Sequence, residues 1–441
     1  MPGPHTGLTP MKILMLSPDA QMIDRRILQE AHSLQALGHQ VTVLSGFECR
    51  EPDAYQTTDG VIVKRYVYDW QDRRLLALRG RHPLAWRLLW PFMRVRDRLL
   101  DRPAGFDYFV LEKALEHEFD VVHVHDYPAL RPGVMAAQAR GVPVVYDSHE
   151  FYPVQSSFTP AQQKRHLARE RRLVRECVQV ITVNPYLARM IAREHGIDEP
   201  MVILNACPWP APQDDALVLR ADEPARAARR REFGIPPDAF TFLYQGWLSP
   251  ERNLDVMVRA IARVPSPAAL VVVGYGDYRA VLENLATELG VADRVHFLGR
   301  IESEALVRLT PACDVGLIPY AAVDEMHRYC SPNKLFEFVM AGLPVIANDL
   351  PYLRDVVAGH DFGWLGELES VDALSSMMAQ ALASPDRLQQ YATHAIAARQ
   401  QLNWDREAAQ LAALYARLEA AAQPAPPAQV QALRTAPANS S

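Results

Sequence analysis

The sequence has few of the features that mark secreted, membrane-spanning or nucleic-acid-binding proteins. Its five cysteines lie far apart and form no CxxC pair, which argues against a disulfide framework and favours a reducing, cytoplasmic compartment. No apolar stretch approaches the length that spans a bilayer, and residues 1–10 carry no lysine or arginine, so we expect no signal peptide there. The net charge of −6 over 441 residues argues against a general nucleic-acid binder, whose domains are usually basic.

Two ligand-binding motifs are also missing. The chain contains no Asp-x-Asp, the pattern with which many enzymes clamp a metal-bound diphosphate. A strand at Val271–Gly276 ends in Gly-x-Gly, but the next strand ends Leu298-Gly-Arg300 without the acidic residue that a dinucleotide site requires. The sequence therefore disfavours NAD binding and predicts no metal and no cofactor.

Strands and helices alternate along most of the chain. Lys12–Leu16 is typical of a buried strand, Asp24 of a helix N-cap, and Val41–Leu44 of the next strand. Such strand–helix–strand units predict an α/β fold with parallel sheets. Further strands are predicted in two groups, at Asp120–Asp126, Val142–Tyr146 and Val178–Val183, and then at Phe240–Tyr244, Ala269–Val273, Arg294–Leu298, Asp314–Ile318 and Pro344–Ala347.

The two groups of strands predict two domains. A proline-rich stretch from Ala206 to Asp238 separates them, and a Pro/Ala/Gln-rich tail follows the last helix. The expected boundaries are a disordered start at 1–10, a first domain at 11–205, a linker at 206–238, a second domain at 239–395, a crossing helix at 396–420 and a disordered tail at 421–441.

The most informative segment runs from Ser331 to Glu337. Ser331 suits an N-cap and Pro332 the first helical position, so a helix should begin here and present its free N–H groups to an anion. Lys334 adds a charge in the first turn, and Glu337 lies on the same face, where a carboxylate accepts hydrogen bonds from a ribose. This layout suits a nucleoside diphosphate. A capped helix with a Lys334–Glu337 ion pair fits the same spacing.

Polar residues follow other strands at the edge where α/β sheets bind ligands. Gly246 opens a turn that leads to Arg252, which is placed to reach a diphosphate, although an ordinary loop with a surface arginine fits too. In the first domain His123 and His125 share a strand face. A buried histidine explains His123, while a His-x-His zinc site is the sharper alternative. The candidates for acceptor binding or proton handling are His125, Asp126, Asp147, His149 and Glu150.

Residues 73–102 form the one strongly basic stretch. They hold nine arginines and two aspartates, a net charge of +7, interleaved with Trp86, Trp90 and Phe92. Such a segment suits an anionic bilayer surface or a lipid-linked acceptor. A helical hairpin that packs its apolar face on the domain is an equally good interpretation.

At this point the sequence resembles the family 4 retaining glycosyltransferases, which use nucleotide sugars and have the GT-B fold. The resemblance covers most of residues 11–420, and its most specific part is SPNKLFEFVMAGLPVIANDL at 331–350. The segments that support it are the Asp24-Arg-Arg helix start, His125-Asp126, Tyr146–Glu150, Gln245–Asn253, Gly274-Tyr-Gly and Leu298-Gly-Arg300.

The resemblance implies two Rossmann-like domains that face each other across a cleft, with a last helix near Trp404–Leu418 crossing back to the first domain. It implies that Lys334 and Arg252 meet the donor diphosphate, that Glu337 meets the ribose and that His125 lies near the transferred sugar. The remaining donor-binding residues expected on this basis are Gly246, Gly274, Gly276, Arg300, Ile301, Ser331, Pro332, Asn333 and Leu335.

Three positions depart from the family pattern. Trp247 replaces a common arginine, Tyr329 replaces a common glutamate eight residues before Glu337, and Ser17-Pro-Asp-Ala replaces a glycine-rich first loop. The predicted function is metal-independent sugar transfer with retention to a glycan or lipid-linked acceptor in cell-envelope or exopolysaccharide synthesis. The predicted location is cytoplasmic or peripheral on the inner face of the plasma membrane, without nucleic acid. A sugar-nucleotide epimerase and a catalytically weak nucleotide-binding scaffold are the alternatives.

Overall fold

The computed structural model describes residues 10–18, 23–45, 48–68, 101–209 and 222–422, with the backbone alone at 48–52 and 304. Several predictions concern segments outside these residues and stay predictions. They are the disordered ends at 1–9 and 423–441, the first loop at 19–20, the middle of the linker at 210–221 and the basic segment at 73–100.

The described part of the first domain is an eight-stranded sheet in the order β3-β4-β2-β1-β5-β6-β7-β8. Its strands are β1 Lys12–Leu16, β2 Gln40–Ser45, β3 Glu48–Gln56, β4 Ile62–Val67, β5 Val121–His125, β6 Val144–Ser148, β7 Gln179–Thr182 and β8 Met201–Val202. Its helices are α1 Arg25–Ala36, α2 Gly105–Leu115, α3 Tyr127–Arg140, α4 Pro160–Leu173 and α5 Pro185–His195.

One strand of the first sheet departs from the predicted parallel arrangement. β3 runs antiparallel to β4. The chain turns between them within Thr57–Gly60, where the Gly60 N–H donates to the Thr57 carbonyl at 3.0 Å. Only antiparallel neighbours can be joined by so short a turn. The sequence pattern predicted neither strand.

The second domain is a six-stranded sheet in the order β11-β10-β9-β12-β13-β14, with every pairing parallel. Its strands are β9 Phe240–Gln245, β10 Ala268–Val273, β11 Val295–Gly299, β12 Val315–Ile318, β13 Val345–Asn348 and β14 Gly363–Gly366. Its helices, with the one that precedes it, are α6 Glu223–Glu232, α7 Leu254–Ile261, α8 Arg279–Glu288, α9 Ser303–Leu309, α10 Glu325–Arg328, α11 Asn333–Met340, α12 Pro351–Gly359, α13 Val371–Leu382 and α14 Pro385–Ala398.

The central strands are apolar because helices cover both faces of each sheet. β10 (AALVVV) and β13 (VIAN) are buried at every position, and β5 is buried throughout despite its two histidines. In each sheet the strand order reverses direction, beside β1 in the first domain and beside β9 in the second. A crevice opens at such a point, at the carboxyl ends of the strands.

The last helix, α15 (Trp404–Ala422), returns to the first domain as predicted. Its Leu411, Leu414 and Tyr415 are buried in one hydrophobic cluster with β1 and α1. The Trp404 indole Nε1 donates to Ser33 Oγ at 2.9 Å. This helix therefore fixes the second domain to the back of the first sheet. Within the described residues, we find no helix that is both long and apolar enough to cross a bilayer.

The chain also joins the domains just before α11. Met326 packs among Phe151, Leu187 and Met190 of the first domain. The ring of Tyr329 stacks on Tyr186, with centroids 5.3 Å apart. The residue that replaces the family's glutamate therefore serves as part of the domain interface, and its ring does not line the cleft.

Candidate active site in the interdomain cleft

A cavity of about 660 Å³ lies between the carboxyl ends of the two sheets. The first domain lines it with Asp24, Asp126, His149, Glu150, Leu187 and Asn205. The second domain lines it with Gln245, Gly246, Trp247, Arg252, Val273, Gly274, Tyr275, Arg300, Ile301, Glu302, Ser303, Leu306, Tyr320, Met326, His327, Cys330, Ser331, Pro332, Asn333, Lys334 and Glu337.

Lys334 forms the floor of the second-domain side. It is 5% exposed, and its Nζ has no hydrogen-bond partner among the described residues. The Nζ lies 3.6 Å from the centroid of the Tyr244 ring. Burial, and then the nearby Arg252, hold the pKa of Lys334 well below its usual range. Lys334 forms no ion pair with Glu337, whose carboxylate pairs with Arg25 instead, so the predicted Lys334–Glu337 pair is wrong and the Lys334 amine lines the cavity.

Helix α11, which carries Lys334, begins one residue later than predicted. Pro332 is its N-cap with extended backbone, and Ser331 does not cap it. The first-turn N–H groups of an α-helix lack partners within the helix and favour an anion. Leu335 does not fit the prediction that it contacts the donor. Its side chain is fully buried in the second-domain core because that helix position faces the sheet.

Two glycine turns allow the chain to approach the cleft closely. Gly246 and Gly274 follow neighbouring strands, and both have positive φ. A Cβ on Gly274 would lie 1.8 Å from the Gly246 carbonyl oxygen, so no other residue fits there. Gly276 was also predicted to bind the donor, but it does not line the cavity. A Cβ there would lie 2.2 Å from the Leu248 carbonyl oxygen, so its role is loop packing.

Glu337 lies between the domains at one end of the cavity. Its carboxylate pairs with Arg25 Nη1 of α1 at 2.5 Å and also accepts a hydrogen bond from Gln245 Nε2. The carboxylate is 21% exposed and the Arg25 side chain 29% exposed. The contact ties the first residue of α1 to the residue that was predicted to hold a ribose.

Aromatic and cationic side chains form the rest of the second-domain wall. The Arg252 guanidinium lies over the Tyr320 ring at 4.4 Å, and Arg300 lies over Tyr275 at 5.8 Å. Trp247, half exposed, meets Tyr275 edge to face at 5.0 Å. The position where the family has an arginine therefore presents an aromatic surface to the cleft.

The first-domain wall centres on His149. Its Nε2 lies 2.9 Å from Asp147 Oδ2, and its Nδ1 lies 3.4 Å from Asp126 Oδ2. Burial alone would lower the pKa of this imidazole, but the two carboxylates outweigh burial and raise its pKa to about 10. His149 is therefore an imidazolium near neutral pH.

Asp126 holds a strained backbone at the end of β5, with φ of +61°. Its N–H donates to the Asp147 carbonyl at 2.9 Å, and its Oδ1 accepts from the His149 N–H at 3.1 Å. Such a conformation costs roughly 1–3 kcal/mol in a non-glycine residue and is typical of functional sites. Burial raises the pKa of the Asp126 carboxyl to about 7 despite the neighbouring His149.

Two first-domain predictions place residues in the cleft that the structure buries beneath it. His125 and Asp147 are both fully buried and line no part of the cavity. His125 Nδ1 lies 3.4 Å from His149 Nε2, directly behind the cleft wall. Arg26 Nε and Nη2 each donate to Asp147 at 2.9 Å. His149, and not His125, is the imidazole that faces the cleft, because β5 is covered on both faces.

A second buried group lies behind this wall and bears on the zinc alternative. Glu30, His123, His125 and Asp147 offer ligand atoms that all lie within 4.8 Å of one another. However, the Arg26 guanidinium bonds both oxygens of Asp147 and lies 3.0 Å from Glu30 Oε1. A guanidinium in this position already supplies the positive charge that a cation would add, so the donor set does not fit a divalent metal.

The sequence patterns assigned no role to several residues of the site. Arg25 and Arg26 lie in a segment that supports the family resemblance, but the Glu337 and Asp147 carboxylates with which they pair are more than 100 residues away. Gln245 and Tyr275 lie beside the predicted glycines, and Met326 and His327 lie in the short helix α10, which carries no motif. The sequence signal that could have identified Gln245 and Tyr275 is their position at or just after the carboxyl end of a predicted strand.

Two α/β domains that face each other across such a cleft have the architecture of the GT-B fold. Residues 225–398 match the model of the glycosyl transferases group 1, and residues 23–207 match that of the glycosyl transferase 4-like domain. The chain belongs to this family.

Relatives agree with this assignment. A D-inositol 3-phosphate glycosyltransferase of Xylanimonas cellulosilytica is 28% identical over 319 residues, which cover 68% of this chain and 72% of the relative. Among solved structures, Anabaena HepE in complex with UDP and glucose matches with a TM-score of 0.67 at 18% identity, over 92% of this chain and all of that one. WaaG, a glycosyltransferase involved in lipopolysaccharide biosynthesis, matches with a TM-score of 0.59 at 17% identity, over 91% and 99%. These structural likenesses concern the fold.

Proposed function

We propose that this glycosyltransferase moves a hexose from a nucleoside diphosphate sugar to a glycan or lipid-linked acceptor, with retention and without a metal ion. The observation that carries the proposal is the buried, unpartnered Lys334 ammonium group on the floor of the cleft. An ammonium group loses most of its hydration when it is buried, so such a site is stable in its charged form only when an anion occupies it.

The donor diphosphate fits between Lys334, Arg252 and the beginning of α11. Lys334 and Arg252 both line the cavity, and the start of α11 contributes the positive end of its dipole. In this arrangement Glu337 receives the ribose hydroxyls, and Arg300 and Ile301 lie near the base. The Anabaena protein binds UDP, so uracil is the base we expect here as well.

The chemistry follows from where charge develops. The anomeric C–O bond breaks, and its electron pair moves to the departing diphosphate oxygen. The acceptor hydroxyl oxygen forms the new bond on the same face of the sugar and passes its proton to that departing oxygen. Lys334, Arg252 and the helix N–H groups stabilise the diphosphate more as its charge grows, which lowers the barrier. These groups do the work of the metal clamp for which the sequence has no Asp-x-Asp.

A ligand panel tests the donor site. Thermal unfolding of the full chain is measured with UDP, GDP, ADP, CMP and NAD, each well above a millimolar. A ligand at 100 times its Kd stabilises the native state by about 2.7 kcal/mol, which is a shift of a few degrees. We expect a shift with UDP and none with NAD. Failure of every nucleoside diphosphate to shift the transition would contradict the proposal.

Turnover separates the proposed activity from its alternatives. A transferase releases free nucleoside diphosphate in proportion to the glycosylated acceptor. An epimerase converts the donor with no acceptor, and a scaffold does neither. We expect transfer to continue undiminished in excess EDTA, and a loss of turnover on chelation would overturn the metal-independent mechanism.

A role in cell-envelope or exopolysaccharide synthesis at the inner face of the plasma membrane belongs to the same proposal. It is motivated by the +7 segment at residues 73–102, and WaaG provides a precedent for an envelope role on this fold. Sedimentation with vesicles of anionic or purely zwitterionic lipid tests it. Replacing arginines 79, 81, 94 and 96 by glutamine should reduce binding to the anionic vesicles. Binding that changes neither with the lipid charge nor with these substitutions would refute the membrane role.

A further inference from the structure

The two walls of the cleft differ in their basic residues. The described residues that the second domain contributes include Lys334, Arg252 and Arg300, together with the acids Glu302 and Glu337. The six that the first domain contributes include Asp24, Asp126 and Glu150, with His149 as the single cation and neither a lysine nor an arginine. The described part of the first-domain wall therefore carries more acidic than basic groups.

The two arginines at the start of α1 already have partners. Arg25 is paired with Glu337 across the domain interface, and Arg26 is buried against Asp147. The segment from Ser17 to Asp24, which enters α1, contains no lysine or arginine in its sequence. The positive charge of His149 is balanced by Asp147 and Asp126, between which the imidazole lies. No first-domain cation among the described residues of the wall is left to receive a phosphate group.

We propose that the acceptor subsite formed by Asp126, His149 and Glu150 takes the hydroxyl groups of an uncharged sugar or polyol and discriminates against a phosphorylated one. The inference rests on the proposed glycosyltransferase function and names the class of its acceptor. It differs from what the names of the inositol phosphate glycosyltransferases say of those relatives.

The physical argument compares two ligands of similar shape. A sugar hydroxyl donates to a carboxylate, and hydrogen bonds to charged acceptors are the stronger ones. A phosphate offers only acceptor oxygens to this wall and about two negative charges. Like charges at about 4–6 Å repel one another strongly in a partly buried site, and either that repulsion or proton uptake by the carboxyl groups weakens binding.

Matched acceptor pairs test the inference. Transfer from UDP-glucose by the full chain is measured with myo-inositol against D-inositol 3-phosphate, glucose against glucose 6-phosphate, and mannose against mannose 6-phosphate. We expect the uncharged member of the best pair to have a kcat/KM at least about tenfold higher, the scale of one unfavourable charge contact.

A charge reversal in the cleft sharpens the test. Glu150 is exposed in the cavity, so Glu150→Lys should fold normally. We expect it to move the uncharged-to-phosphorylated ratio at least about tenfold toward the phosphorylated acceptor. The control Glu112→Lys makes the same change on the exposed face of α2 and should leave the ratio unaltered.

Two results would overturn the inference. One is a phosphorylated acceptor used as well as its uncharged counterpart, which would show that the acids of this wall do not discriminate against phosphate. The other is a panel in which no uncharged acceptor is glycosylated although UDP binds. The UDP-induced thermal shift is measured separately, so failure of the acceptor inference is distinguishable from failure of the donor site.

Discussion

The two walls of the cleft differ in how their charged groups are compensated. On the second-domain side the Lys334 Nζ is buried without a hydrogen-bond partner among the described residues, and its pKa is held well below its usual range. On the first-domain side Arg26 pairs with Asp147, and His149 lies between Asp147 and Asp126. The comparison indicates that an anionic ligand would compensate Lys334, whereas the protein itself supplies the counter-charges of Arg26 and His149.

The difference has a consequence for stability and function. A compensated buried network keeps its geometry without ligand, because each group satisfies the next. An uncompensated cation stores unfavourable desolvation that a diphosphate relieves. Changes to the first wall should therefore lower the free energy of unfolding, while changes to the second should lower affinity and turnover.

The largest effect is expected from Arg26→Met. It removes both hydrogen bonds to Asp147 and leaves that buried carboxylate and Glu30 without their cation. Breaking a buried ion pair from one side costs about 3–5 kcal/mol of unfolding free energy. Urea denaturation measures this loss. Arg417→Met, an exposed change on α15, is the control and should lie within about 0.5 kcal/mol of the original protein. Equal stability of the two variants would mean that the network is not structural.

Lys334→Ala, on the second wall, should lower turnover and leave the free energy of unfolding unchanged. We expect kcat/KM for the donor to fall by about 10²–10³, the scale of losing one charge-stabilising group in a transition state. Folding stability without ligand should be retained, because the change removes a buried amine that has no hydrogen-bond partner among the described residues. Lys164→Ala, on the exposed face of α4, is the matched control for turnover. Near-normal turnover by the Lys334 variant would remove the basis of the donor site.

The pH dependence of kcat/KM should distinguish the two walls, because different groups titrate on each. Asp126, with a pKa of about 7, binds acceptor hydroxyls best when ionised, so kcat/KM for the acceptor should rise as pH increases through about 7. His149 should remain charged until pH approaches 10. Asp126→Asn should remove the acidic limb and leave the Kd for UDP within about threefold, since this carboxyl group lies on the first-domain wall, opposite the proposed diphosphate site. Persistence of that limb in the variant would assign it elsewhere.

The smallest effect is expected where the two walls touch. Arg25→Gln breaks the ion pair with Glu337, whose side chains are both partly exposed. Such pairs contribute about 0–1 kcal/mol, so the Kd for UDP should change less than about fivefold. Calorimetric titration measures it. A change of a hundredfold would show that this contact, and not Lys334, controls access of the donor.

The second domain was more predictable from sequence than the first. Its five predicted strands are present within one or two residues, since fully buried parallel strands are short apolar runs. β14 was missed because GWLG, with glycine at both ends, is typical of a turn. Lys334 and Glu337 were placed correctly in the cleft because helix position alone sets which face they share.

The first-domain wall could not be predicted in the same way. Alternation along β5 placed His123 and His125 on one face of the strand. Both faces of that strand are buried, so the alternation does not indicate which residues face the cleft. The residue that does face the cleft, His149, follows β6 and is oriented by Asp126 from another strand. Arg26 and Asp147 are 121 residues apart, and no local pattern relates them.

The most direct test of the contrast between the walls is proton uptake on UDP binding. Calorimetric titration of the full chain at a series of pH values below the usual pKa of lysine, in two buffers of different ionisation enthalpy, measures it. Burial lowers the pKa of Lys334 and a bound diphosphate raises it, so at pH values between the two we predict proton uptake on UDP binding. This uptake should be absent in Lys334→Ala and unchanged in Asp126→Asn. UDP that binds without proton uptake, and equally well to Lys334→Ala, would contradict the account.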